Sequence, residues 1–555
     1  MRARSQLFET GTQVDFAVVG SGAAGGIVAK ELAAAGFTVV VLEQGPYLRE
    51  EDFKHDELKY VGQAEITNDY KLQPNTFRKT PRAKAVLQPA VGYARLVGGG
   101  SIHFTANYWR FHQIDFEERS RLGSIAGTGF TDWPIRYSDL EPYYTKAEWE
   151  LGVSGLAGAS PWDPPRSQPY PLPPLPVKSS GILLERAARK LGWHAFPAPM
   201  AIISQPYRGR GACLHCGFCK FFGCEVRAKS STAATVIPMA EKTGRCQIRP
   251  NSYVRKIETD KAGRVTGVIY FDAERREHLQ KARAVVLCAN GAETPRLLLI
   301  SKSNLFPNGL ANSSGLVGKY LMFNGGAAAG GVFERQLNEY KSVVVTRIIH
   351  DFYDSDPKRG FYGGGGIDAR FDFLPIGFAL GGLPQDAPRW GTAYKAMLKE
   401  YFTRTMYVIS HTTSLPVETN SISLDANVKD AWGLPAIRVT YQDHPDDMRT
   451  MKFFLQRSSE LLEAAGALKK WEYPVEEQTF SLHLLGTCRM GDNPGKSVVD
   501  QFHRAHDVPN LFIVDGSSLV TSGRGQPTCT IQALAYRAAD HIIRSAKSGE
   551  IRSSF

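Results

Sequence analysis

Apolar and polar positions alternate along the chain in short blocks, and the first block predicts a strand, a glycine turn, a helix and a second strand. Asp15 to Val19 (DFAVV) is a short buried strand by this reading. Gly20-Ser21-Gly22-Ala23-Ala24-Gly25-Gly26 follows, then a helix rich in small residues over Ile27 to Ala35. Thr38 to Leu42 is a β-branched strand that ends at Glu43. Farther on, Ala284 to Leu287 and Leu511 to Val514 are apolar runs that also end in glycine and small polar residues. Ser421 to Val439 alternates around Gly433-Leu434-Pro435, the pattern of a strand pair, and Ile531 to Ile542 predicts an apolar helix. Gly360 to Gly382 mixes glycines with aromatics, as a strand-and-loop region does, and Pro161 to Pro176 is a stiff extended connection. No run reaches about 18 apolar residues, so no transmembrane helix is expected.

The first block carries chemistry in its spacing. Gly20 permits a tight turn, Gly22 lets the backbone approach a pyrophosphate, and Gly25 lets the helix pack on the strand. The helix N-terminus offers free N–H groups to the phosphates. Glu43 stands where an acid accepts from a ribose hydroxyl. Strand, turn, helix, strand and acid in register predict a dinucleotide site of α/β type.

Length and charge narrow the class. With 555 residues the chain exceeds the roughly 250–300 at which single cores stop growing, so two domains are expected. Net charge is +11 without a long Lys/Arg run, which describes a soluble surface and speaks against a nucleic-acid binder. The N-terminal MRARSQLFETGTQ is basic but lacks an apolar h-region, so it is not read as a signal peptide. Cys246, Cys288, Cys488 and Cys529 are scattered among small or apolar residues and are expected as buried free thiols.

Three further segments carry a family likeness. Arg95-Leu-Val-Gly98-Gly99-Gly100-Ser101, Asn290-Gly291-Ala292-Glu293-Thr294-Pro295 after its strand, and Asn510-Leu-Phe-Ile-Val-Asp515-Gly516-Ser517 each place glycines and small polar residues at a strand end. Together with the first block they resemble the glucose–methanol–choline (GMC) family of FAD oxidoreductases. The likeness implies a Rossmann-like FAD-binding domain plus an α+β substrate-binding domain with an antiparallel sheet. It implies a discontinuous FAD domain over 1–120, 205–325 and 484–555, with 121–204 and 326–483 binding substrate. It also implies that Gly99, Gly100, Ser101, Asn290, Asp515, Gly516 and Thr528 approach the FAD. His103 falls at the spacing of the histidine that pyranose oxidases join to the flavin, so a covalent bond and a histidine packed on the ring both stand as readings.

Oxidising an alcohol on a flavin needs a base for the hydroxyl proton, and a neutral histidine suits that role. His483, in Ser481-Leu-His483-Leu-Leu-Gly486-Thr487-Cys488-Arg489-Met490-Gly491, matches the histidine of the family motif. Gln526 stands where the family usually has histidine or asparagine; its amide can donate and accept but cannot act as a second base.

Cys213, Cys216, Cys219 and Cys224 fall within twelve residues (CLHCGFCKFFGC). Such crowded thiols point to an iron–sulfur cluster, with zinc or no metal as alternatives, since the proline after the last cysteine of ferredoxin-like spacing is replaced by Glu225. Arg208, Arg210, Lys220, Arg227 and Lys229 flank them, either to offset a cluster's charge or to dock an acidic acceptor. The closest resemblance is to flavin subunits of bacterial glucoside 3-dehydrogenase, glucose and gluconate dehydrogenases. It implies a small-molecule sugar or glycoside as substrate, a small partner subunit and a cytochrome c acceptor. Location would then be the periplasm, or the periplasmic face of the inner membrane through that subunit; a chain acting alone would be cytoplasmic. The rival reading is a pyranose-oxidase-like enzyme that returns electrons to oxygen, with structural cysteines.

Overall fold

The computed structural model describes residues 7–62 and 66–551. The stretch read for a signal peptide begins in residues 1–6, outside the described residues, as do the last four residues of the expected FAD domain.

The block predicted first forms as expected. Strand β1 (Val14–Val19) leads through the glycine turn into helix α1 (Gly25–Ala34), and strand β2 (Val39–Leu42) returns beside β1. β1 pairs in parallel with β2 and with the end of the long strand Glu277–Leu287. Cys246–Arg249 extends the sheet beyond β2, and Leu511–Ile513 pairs in parallel with the far side of Glu277–Leu287. Val18, Val40, Val286 and Phe512 are fully buried, the all-apolar strand core of a sheet covered on both faces. The outer half of Glu277–Leu287 pairs antiparallel with Val265–Phe271, which pairs with Tyr253–Thr259. The C-terminal helix, Thr528–Lys547, packs against α1.

A second sheet is antiparallel throughout, in the order Lys469–Glu472, Gly325–Val332, Thr405–Thr412, Gly365–Arg370, Val345–Ile349, Ala195–Pro197. Its strand GGAAAGGV is nearly bare of side chains, which admits the long helix Pro445–Ala465: a Cβ on Gly331 would stand 2.9 Å from Leu462 Cδ2. The strand pair predicted over Ser421 to Val439 forms as Ser421–Lys429 and Pro435–Thr440. It joins a separate four-stranded sheet with Asn75–Arg78 and Val86–Leu87, so this sheet draws strands from both sides of the expected domain division. Among the described residues no helix is long and apolar enough to cross a membrane.

Candidate active site

The strand ends of the parallel sheet open on a cavity of about 400 Å³ whose far wall comes from the antiparallel sheet. Gly20, Gly22 and Glu43 line it from the first block, and Gly99, Gly100, Ser101 and His103 from the second glycine turn. Asn290, Asp515, Gly516 and Thr528 line it from the later segments, with His483 and Gln526 nearer the far wall. Gly25 is not on the surface of the cavity; its Cβ would fall 2.0 Å from the Gly20 carbonyl oxygen, so it serves helix-to-turn packing.

The two glycine turns touch. A Cβ on Gly99, at φ +52°, would lie 2.6 Å from Gly22 Cα, so the approach requires glycine at 99. Glu43 ties the turns together: its carboxylate accepts from the Ser21 amide (3.1 Å) and hydroxyl (2.8 Å), and the Ser21 hydroxyl accepts from the Gly98 amide (3.1 Å). Burial pushes the Glu43 carboxyl up, against those hydrogen bonds. Ser101 turns inward, donating to the Gly98 carbonyl (2.6 Å) and accepting from the Thr232 amide (3.1 Å). Asp515 accepts from Thr294 Oγ1 (2.6 Å), the Ser517 amide (2.8 Å) and the Asn290 amide (3.1 Å).

These residues fit an FAD. Glycine backbones line the cavity where a pyrophosphate would lie, α1 and Thr528–Lys547 both begin at it, and His103 presents an orphaned nitrogen. His103 is buried, its Nε2 has no partner, and burial, then the nearby Lys229 ammonium, lower its pKa to about 4. A buried ring nitrogen without a partner is costly unless something meets it.

His483 has a defined tautomer. Its Nδ1 lies 3.0 Å from Asn324 Oδ1. The Asn324 amide nitrogen donates to the carbonyls of Thr412 and Ser522, both at 3.3 Å, which fixes its oxygen toward the histidine. An amide oxygen only accepts, so the proton sits on Nδ1 and Nε2 keeps a lone pair in a ring that lines the cavity. Burial, with His411 nearby as the lesser cause, lowers the pKa of His483 to about 4, so the ring is neutral at ordinary pH. Gln526 follows Gly525, whose φ of +101° and 2.2 Å approach to His411 Cβ admit only glycine. Arg524 anchors this turn from a fully buried position, bonded to Asp115, Glu118 and the Tyr353 carbonyl.

Asn324, His411 and Arg370 are the functional candidates that the sequence reading missed, and Lys220, read there as a cation flanking the cysteines, lines the cavity instead. Asn324 precedes the glycine strand, and Arg370 and His411 lie on adjacent strands of the antiparallel sheet. No local motif marks them; a histidine in the strand TMYVISHT is the one signal the sequence offers.

The cysteine string is close to this site but does not form a metal group. Cys213, Cys216 and Cys224 lie within electrostatic range of Cys219, yet among the described residues no three His, Cys, Asp or Glu are placed to hold a metal ion. Cys216 is exposed while Cys219 is buried. Lys229 occupies the inside of the loop, donating to the carbonyls of Cys219 (2.6 Å) and Phe222 (2.8 Å). Burial pushes the thiols of Cys213 and Cys219 up to about 11 and about 12. As they stand, these residues do not make the donor set of a cluster. Nor are all the flanking cations a docking surface: Arg210 and Lys229 are buried, and Lys220 pairs with Asp372 on the cavity wall. The other four cysteines are buried free thiols, as expected.

Two family profiles described as GMC oxidoreductase match residues 83–322 and 416–535, and one described as an NAD(P)-binding Rossmann-like domain matches 18–88. The chain is 36% identical to 2-methyl-1,2-propanediol dehydrogenase of Mycolicibacterium austroafricanum, over 96% of this chain and 95% of that protein. It is 30% identical to the fructose dehydrogenase large subunit of Gluconobacter japonicus, over 96% and 98%. Among solved structures, a formate oxidase of Aspergillus oryzae superposes with a TM-score of 0.68 at 16% identity, over 98% and 100%, a likeness of fold.

Proposed function

The chain belongs to the GMC oxidoreductase family, as an FAD-dependent enzyme acting on CH–OH groups, and we propose that it is a sugar or polyol dehydrogenase with His483 as its base. The observation that carries this reading is the neutral His483 ring, with Nδ1–H held by Asn324 and Nε2 left for substrate. Two relatives named as dehydrogenases of a diol and of fructose support the substrate class.

In this scheme His483 Nε2 takes the hydroxyl proton as the carbinol carbon is oxidised to a ketone or lactone carbon. Bound FAD supplies the acceptor for the hydride that leaves that carbon. Gln526 orients the substrate oxygen and hydrogen-bonds the developing alkoxide through its amide N–H. Gly20, Gly22 and Glu43 would hold the dinucleotide, with Gly25 packing the helix on the turn, and Gly99, Gly100, Ser101, Asn290, Asp515, Gly516 and Thr528 would complete the FAD site. His103 would contact the flavin, bonded to it or packed against it; its orphaned Nε2 supports either contact. The domain division expected above, 1–120, 205–325 and 484–555 against 121–204 and 326–483, puts the cavity between the two parts.

The cysteine loop carries no step here. An iron–sulfur cluster on Cys213, Cys216, Cys219 and Cys224 is a second reading. It is favoured by amide contacts to three sulfurs, from His215 to Cys213 (3.4 Å), from Lys229 to Cys224 (3.5 Å) and from Phe218 to Cys216. The buried Lys229 ammonium, bonded to carbonyls rather than a carboxylate, favours it too. Iron and acid-labile sulfide in anaerobically purified protein decide it. A small partner subunit and a cytochrome c at the periplasmic face belong to the same reading.

The test of the function is direct. Anaerobic addition of polyols is expected to bleach the flavin, with turnover through an artificial dye and little peroxide in air. Copious peroxide without a dye would replace the dehydrogenase with an oxidase, and an unbleached flavin would end both.

A further inference from the structure

His411 lines the cavity beside the turn that carries Gln526: a Cβ on Gly525 would stand 2.2 Å from His411 Cβ. In the antiparallel sheet His411 faces Gly326 on one side and Gly366 on the other. Neither neighbour has a side chain to cover it, and the His411 side chain stays 16% exposed. Trp109 meets the ring edge-on, with centroids 6.0 Å apart.

One nitrogen of the ring is fixed in the wall. Nε2 lies 2.8 Å from a terminal nitrogen of Arg370 and 3.1 Å from Asp368 Oδ2. The two contacts ask for opposite tautomers. An arginine N–H only donates, so the shorter contact needs a lone pair on Nε2. Asp368 does not need the histidine proton: Oδ2 already accepts from that same Arg370 nitrogen, and Oδ1 accepts from Arg370 Nε at 2.6 Å. A proton on Nε2 would set two N–H groups against each other at 2.8 Å. Burial, against the pull of Asp368, lowers the His411 pKa and keeps the ring neutral. A neutral ring whose Nε2 accepts carries its proton on Nδ1.

We propose that His411 is a further catalytic residue, donating a hydrogen bond from Nδ1–H to the substrate oxygen beside Gln526. The proposal rests on the reading that His483 takes the proton of that oxygen. A hydroxyl that donates to His483 Nε2 has two lone pairs left, and the Gln526 amide fills one of them. His411 fills the other. Negative charge grows on the oxygen as its proton leaves. Two donors already in place then stabilise the transition state more than the alcohol. His411 neither gains nor loses a proton in this role, so His483 keeps the part of the base.

The test follows anaerobic flavin reduction in the FAD-loaded enzyme, with 2-methyl-1,2-propanediol and fructose as probes. His411→Phe keeps a ring and removes both nitrogens. It should lower the limiting rate about 10²-fold, the scale for one lost donor to a developing oxyanion, and change the apparent Kd by less than about threefold. His411→Gln restores an N–H and should recover at least about tenfold of that loss. A ring that only packs would give the reverse order, with Phe milder than Gln. A rate in His411→Phe within about threefold of the unaltered enzyme, or His411→Gln no faster than His411→Phe, would overturn the proposal. The tautomer is read without substrate, by nitrogen NMR of histidine-labelled holoenzyme, with His411→Gln identifying its signal among the 13 histidines. The proton is expected on Nδ1, and a proton on Nε2 would overturn the assignment of the donor. If neither probe bleached the flavin, the proposed function would fall instead, and the nitrogen signals would still decide which atom of His411 donates.

Discussion

The cavity and the cysteine loop are neighbours, joined where the Phe221 amide donates to the His103 carbonyl at 2.8 Å, but they are organised in opposite ways. In the cavity, residues far apart in the chain converge with their hydrogen bonds fixed: Asn324 holds His483, and Arg370 joins Asp368 to His411. In the loop, four like residues within twelve positions diverge, one thiol to the surface and another into the core. Closeness in sequence does not gather side chains; a shared set of fixed partners does. The chemistry proposed here therefore rests on the first region and not on the second.

The largest effect should come from the cavity. His483→Ala is expected to lower kcat by about 10³-fold or more, within the range for losing a general base, while FAD absorbance shows the cofactor retained. A variant of the loop that did the same would erase the contrast. Asn324→Ala should lower kcat by about 10–100-fold with little change in KM, because the ring loses the acceptor that sets its tautomer. A rise in KM alone would make Asn324 a substrate contact instead.

The folded core gives a control that is independent of both regions. His350 and His503 are buried, and burial lowers each pKa to about 3. Unfolded, each titrates near 6.5, so below that pH the unfolded chain binds more protons. Stability from this source is complete above about pH 6.5 and is lost as pH falls toward 3, by up to about 4 kcal/mol for each ring. Melting temperature followed against pH should fall through this window, less steeply in His503→Gln. The smallest effect should be in the loop: Cys216→Ser, at the exposed thiol, is expected to leave the anaerobic rate of flavin reduction within about twofold, because this conservative change is at a side chain that does not line the cavity. A larger fall in flavin reduction would tie the loop to the chemistry, and a fall confined to transfer to an acceptor would favour the cluster.

Much of the cofactor side of the site was legible in the sequence, because its signals are local. The turn at Gly20–Gly25, the acid at Glu43 and the Gly-Thr motif after His483 each declare themselves within a few residues of one strand end. The substrate side was not. Asn324, Arg370 and His411 acquire meaning only through the antiparallel pairing that sets Gly325, Thr412 and Gly365 beside one another. Lys220 was read as part of a basic loop because its partner, Asp372, is 152 positions away. The four-stranded sheet that draws on residues 75–87 and 421–440 was hidden for the same reason.

The central claim, that Asn324 holds His483 as a neutral base, is tested most directly by the pH dependence of anaerobic flavin reduction in Asn324→Asp. A carboxylate facing Nδ1 stabilises the imidazolium and raises its pKa. The unaltered enzyme should lose its rate only as pH falls through about 4, the pKa that burial gives His483. The variant should lose its rate at a pH at least about one unit higher, the scale on which a facing charge moves a titration. Superimposable profiles would contradict the account, since the proton taken from substrate would then not reside on a ring that Asn324 controls.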